Sequence, residues 1–132
     1  MAAEGAAAVN DRLVLAVRAV AAASAAATLA LMLWAMTFSW SGLAFVVGLM
    51  AWCVSPYALL AFAAGGMRAS RRALVALLVA TILVAGAAAA AYVDAFFIHL
   101  DAQGALILLF MPVWQWVAVV IGLVVASLLP SK

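Results

Sequence analysis

Charge is what this sequence has least of. Only 8% of its 132 residues are Asp, Glu, Lys or Arg, against about 25% in soluble chains. With 73% of residues apolar and a mean hydropathy of +1.39, a soluble fold this short would leave too much apolar surface facing water. Acidic residues are rarer still: Glu4, Asp11, Asp94 and Asp101 are the four. None lies inside an apolar run, although Asp94 stands at the edge of one. Intramembrane carboxylates mark proton-coupled carriers and cation pathways, so their absence counts against both. One cysteine, Cys53, excludes an intrachain disulfide and any cysteine-pair metal or redox motif. One histidine, His99, means that a bis-histidine haem would take two copies. The serines are scattered and no Gly-rich phosphate loop occurs, so no nucleophilic or phosphate-binding arrangement emerges. A net charge of +2 is too small to point to nucleic acid. The expectation is a non-enzymatic chain with no catalytic residues, no cofactor, no metal and no nucleic-acid partner.

What is present is apolar sequence in four long runs: about 19–38, 42–64, 73–93 and 104–129. Each reaches the roughly 20 residues that a helix needs to cross about 30 Å of hydrocarbon. The runs are too long for membrane strands and lack their alternation. The links Thr37–Ser41, Gly65–Arg72 and Asp94–Gln103 are short, which makes consecutive helices antiparallel. The fold class expected is therefore an all-α integral membrane protein. Its single domain, 1–132, holds four transmembrane helices in two antiparallel hairpins packed as a compact bundle. Residues 1–11 read as an aqueous segment, with Asn10 and Asp11 as N-caps of the first helix.

Orientation follows from the basic residues. Four spans put the N-terminus, the middle loop and the C-terminus on one side, and Arg12, Arg18, Arg68, Arg71, Arg72 and Lys132 all fall there. The positive-inside rule makes that side cytoplasmic, which fits a bacterial inner (plasma) membrane. Arg68, Arg71 and Arg72 fix topology and attract anionic headgroups, at about 1 kcal/mol per basic residue. Aromatic residues gather at the opposite side: Trp34, Phe38 and Trp40, then Tyr92, Phe96 and Phe97. A cleaved signal peptide is the rival reading of the first run, but a signal core is usually about 7–15 residues and this run is longer.

Interfaces between membrane helices favour small residues. The second run offers Ala44, Gly48, Ala51, Ser55 and Ala58 at alternating spacings of four and three, and the fourth offers Gln115, Ala118, Gly122 and Ala126. Counting from the boundaries places Ser24, Thr28, Cys53, Ser55, Tyr57, Thr81 and Gln115 near mid-membrane. Of these, Tyr57, Gln115, Ser55, Cys53 and Thr81 form the candidate polar layer, with Tyr57 and Gln115 expected to bond to each other or to a hydroxyl. Pro56 and Pro112 free the carbonyls of Trp52 and Leu108. The loop cluster Asp94, His99 and Asp101 is the second candidate. Two carboxylates around an imidazole can bind a cation or move a proton, but the simpler reading is structural: Asp94 ends one helix, Asp101 caps the next and His99 sits at headgroup level. The hairpins also share a loose pattern, a glycine (Gly42, Gly104) followed ten residues on by a tryptophan (Trp52, Trp114).

The four-span small multidrug exporters carry a glutamate in their first helix, and none occurs between Ala19 and Phe38. Dual-topology fluoride channels match in size alone, and dual topology conflicts with so one-sided a charge distribution. Partners expected are lipid and either a membrane-protein partner or a second copy, which makes a subunit, an assembly factor or an immunity-type protein. The alternative is an oligomeric channel or transporter built around the polar layer.

Overall fold

The computed structural model describes residues 1–100 and 104–130, so Asp101, Gln103 and Lys132 lie outside the described residues. Four helices are long and apolar enough to cross a membrane. They are α1 (Ala2–Ala35), α2 (Leu43–Gly66), α3 (Arg71–Val93) and α4 (Ile107–Leu128). Short 3-10 turns, Trp40–Gly42 and Gly104–Leu106, lead into α2 and α4, and a π-helical turn, Asp94–Ile98, extends α3. The helices pair as α1 with α2 and α3 with α4, and the two hairpins join through α1–α3 and α2–α4 contacts. Going round the bundle, the order is α1, α2, α4, α3.

Helix α1 is longer than its apolar run, at 34 residues, or about 51 Å at 1.5 Å per residue. The segment expected to remain outside the helix is its first turns. Alanine is the best helix former, and five of the first eleven residues are alanine, so the helix continues through them although none is buried. Asn10 and Asp11 are consequently interior positions, not caps. Asn10 Nδ2 donates to the Arg68 carbonyl at 2.8 Å, and Asp11 lies 3.9 Å from the Arg68 guanidinium. The cap that does form is Ser70, whose Oγ accepts from the Ala73 N–H at 3.2 Å and starts α3 straight after the loop.

Two clusters fill the interior. Val14, Val17, Leu60, Leu74, Leu77 and Val119 pack toward the middle-loop end. Met32, Leu49, Cys53, Ala88, Tyr92 and Leu108 pack toward the other end. Two expectations about faces are overturned. The small-residue stripe of α2 turns outward: Ala44, Gly48, Ala51 and Ala58 are exposed, and Ser55 is half-buried. The buried face is Val46, Leu49, Cys53, Tyr57, Leu60 and Ala64. Both faces are apolar enough for lipid, so hydropathy alone does not choose between them. Tyr92 likewise leaves the aromatic belt for the core, being 4% exposed. In α4 the expectation holds in part, since Gln115 and Ala126 are buried while Ala118 is exposed. Gly122 marks the close approach of α4 to α3, where a Cβ would meet the Ala80 Cβ at 2.9 Å.

Candidate functional site

Proline decides the chemistry of the seam between α2 and α4. A proline inside a helix lacks an N–H and leaves the carbonyl four residues earlier unbonded, and in hydrocarbon such a group must find a donor within the protein. Pro56 frees the Trp52 carbonyl, which accepts from Ser55 Oγ at 2.7 Å. Pro112 frees the Leu108 carbonyl, which accepts from Cys53 Sγ at 3.1 Å. Next to it, Trp52 Nε1 donates to the Leu109 carbonyl at 3.1 Å. A turn or so further along, Trp116 Nε1 donates to Ser55 Oγ at 3.0 Å and Gln115 Nε2 to Tyr57 Oη at 2.8 Å. Side chains of α2 thus repair the gap that proline opens in α4, and Ser55 both repairs its own helix and receives α4.

The structure brings together four of the five residues of the expected layer: Cys53, Ser55, Tyr57 and Gln115. Thr81 is fully buried but donates to the Leu77 carbonyl of its own helix at 2.7 Å, so it takes no part in the seam. Ser24 and Thr28 in α1 behave the same way, donating to Val20 and Ser24 carbonyls. Threonine and serine in membrane helices have this local acceptor always within reach. Trp114 is 70% exposed and faces outward.

Among the described residues, Gln115 Oε1 is buried in the interior without a partner, and the Tyr92 hydroxyl is buried beside Cys53 in the same core cluster. Tyr92 was not among the expected site residues. Its position at the end of an apolar run made it look like an interface anchor, and no sequence signal marks the inward turn. Alongside it runs a groove of about 380 Å³ between α1 and α3. Alanines of both helices form its sides, with Thr28, Tyr57 and Tyr92 among them. Trp34 and Phe97 stack beside its end, with ring centroids 5.3 Å apart and planes 11° from parallel.

In the loop cluster, His99 Nδ1 lies 2.8 Å from Asp94 Oδ1, and the His99 N–H donates to the Asp94 carbonyl at 2.7 Å. Both side chains are mostly exposed. The pair closes the π-helical turn on itself. Asp101, the third member, lies outside the described residues. Among the described residues, no group of three or more His, Cys, Asp or Glu side chains is placed to hold a metal. Of the basic residues, Arg68, Arg71 and Arg72 are exposed at the end of the bundle where Asn10 and Asp11 meet the loop. Arg18 lies flat along α2, its Nε donating to the Ala61 carbonyl at 3.2 Å.

These features define a class: an integral membrane protein made of one four-helix bundle whose mid-depth polar groups join helix to helix. No protein-family profile, no curated protein and no solved structure matches the chain.

Proposed function

We propose that the chain is a non-enzymatic membrane module that acts through protein contacts, as a subunit, an assembly factor or an immunity-type protein. The observation that carries this reading is the outward face of α2. Ala44, Gly48, Ala51 and Ala58 are exposed, and no atom lies within 4 Å of a Cβ placed on Gly48. Small residues let helix backbones approach closely in lipid, and here the bundle's own helices do not use them. The mid-depth polar groups support the same reading, since Cys53, Ser55, Tyr57 and the Gln115 amide nitrogen are engaged in bonds between or within helices. A pore around this layer would have to be assembled from several copies.

The membrane is a bacterial inner (plasma) membrane in this proposal, with both termini cytoplasmic. All six basic residues on one side support it. So do the Asn10–Arg68 and Asp11–Arg68 contacts, which hold the N-terminal turns of α1 against the middle loop.

Purification in a mild detergent, with mass measured under native conditions, tests the reading. The wild-type chain is expected to carry a stoichiometric membrane-protein partner or a second copy, and Gly48→Leu or Ala51→Leu to release it. A homogeneous wild-type monomer without companions would remove the proposal.

A further inference from the structure

The three arginines around the middle loop are alike in sequence and unlike in the structure. Arg68 is engaged: its guanidinium lies 3.9 Å from Asp11, and its carbonyl accepts from Asn10 Nδ2 at 2.8 Å. Arg71 and Arg72 are exposed, and among the described residues neither is paired with a carboxylate. They stand instead at a cleft of about 700 Å³ where the start of α3 meets the end of α4. Val75, Ala76 and Leu129 complete its lining. Residues four apart share a face of a helix, so Val75 lies one turn below Arg71 and Ala76 one turn below Arg72. The cleft is charged at its mouth and apolar beneath.

Depth and charge specify the occupant. Counted from Leu83, the centre of the apolar run 73–93, Arg71 and Arg72 stand about 17–18 Å from the midplane and Val75 and Ala76 about 11–12 Å, at 1.5 Å per residue. Hydrocarbon about 30 Å thick ends about 15 Å from its midplane, so the boundary between chains and headgroups passes through the cleft. All six basic residues belong to this end of the bundle, against two acidic ones, Glu4 and Asp11, a formal excess of +4. Asp11 already faces Arg68. A guanidinium holds phosphate oxygens through paired N–H donors, and an arginine stem lies along apolar surface while its head reaches water. A soluble anion would use the two charges alone, and a zwitterionic lipid brings an ammonium that arginine repels. An anionic lipid satisfies both halves of the cleft. We propose that this cleft is a specific site for one anionic glycerophospholipid of the leaflet at the middle-loop end. Arg71 and Arg72 hold its phosphate, and one acyl chain lies on Val75, Ala76 and Leu129. Arg68, held by Asp11 and Asn10, is outside the site.

The test uses the full chain in vesicles of phosphatidylethanolamine and phosphatidylglycerol with identical acyl chains, extracted into mild detergent for native mass spectrometry. One phosphatidylglycerol per chain is expected to stay bound in preference to phosphatidylethanolamine. Arg71→Gln and Arg72→Gln should each weaken its binding about fivefold, the worth of one basic residue near the surface, and Arg68→Gln less than about twofold. Val75→Trp, at an exposed position, fills the cleft and leaves every charge in place, so it should abolish retention. Equal retention of the two lipids by the wild-type chain would overturn the site. An Arg68→Gln loss as large as that of Arg71→Gln would also overturn it, in favour of a diffuse field with no site. Undiminished retention by Val75→Trp would do the same, in favour of an anion held by charge alone. Because the preference between lipids is read on the wild-type chain, a variant that fails to fold leaves the test intact.

Discussion

Tyr57 and Gln115 face each other across the α2–α4 seam, but the bond between them is lopsided. The amide nitrogen of Gln115 donates to Tyr57 Oη at 2.8 Å, while its Oε1 is buried with no partner. Removing one member of such a pair is therefore unlike removing both. Tyr57→Phe strands the whole Gln115 amide in the interior, and a stranded buried group costs about 1–3 kcal/mol. Adding Gln115→Leu removes the stranded groups, so the double variant should be more stable than Tyr57→Phe alone. A double-mutant cycle measured by reversible unfolding in mixed micelles should return a coupling of about 0.6–2 kcal/mol. Strict additivity would mean that the bond contributes nothing. That these two residues meet was legible in the sequence, because both stand at mid-depth in runs where nothing else offers a strong polar group. The Tyr92 environment was not legible, since a tyrosine at the end of a span fits an interface belt and a buried site equally well.

At the scale of the helix, the spans were easy to read and their faces were not. Hydropathy and length mark four crossings, and each observed helix overlaps the expected run. Face assignment needs a polar side to contrast with an apolar one, and a helix surrounded by lipid has none. The small-residue stripe of α2 thus lies outward, against the expectation from residue size, whereas Gly122 of α4 does pack inside. The beginning of α1 departs from expectation for another reason: with so much alanine, helix persists beyond the apolar run, and the Asn10 and Asp11 contacts to Arg68 hold it in place. The two glycines make this contrast measurable. A Cβ on Gly122 would lie 2.9 Å from Ala80 Cβ, while one on Gly48 meets nothing within 4 Å. Gly122→Ala should push α4 from α3 and cost about 1–3 kcal/mol, as overpacking does. Gly48→Ala should leave the thermal midpoint of the isolated chain in detergent unchanged or slightly raised, given alanine's better helix propensity. Equal losses from the two substitutions would contradict the assignment of these faces.

For the molecule as a whole, its charges and its single thiol make its orientation in the bilayer directly measurable. Arg12, Arg18, Arg68, Arg71, Arg72 and Lys132 occupy one side of a four-span topology. Three of the six are in the loop between α2 and α3 or at the start of α3, so that loop carries half of the bias. Basic residues resist translocation across an energised membrane, and the loops at the opposite end have no Lys or Arg to compete. Cys53 is buried, so a membrane-impermeant maleimide should leave the wild-type protein unlabelled in intact cells. New thiols then report sidedness directly. Ser39→Cys, in the link between α1 and α2, should be labelled from outside, and Ala69→Cys only after the membrane is permeabilised. Replacing Arg68, Arg71 and Arg72 with Gln removes half of the basic residues while keeping the helices' apolar cores. In that background a fraction of Ala69→Cys should become accessible from outside, because Arg12, Arg18 and Lys132 alone give a weaker preference. Labelling of Ser39→Cys only in permeabilised cells would invert the topology proposed here, and would move the Trp34–Phe97 end of the groove to the cytoplasmic leaflet without altering its geometry.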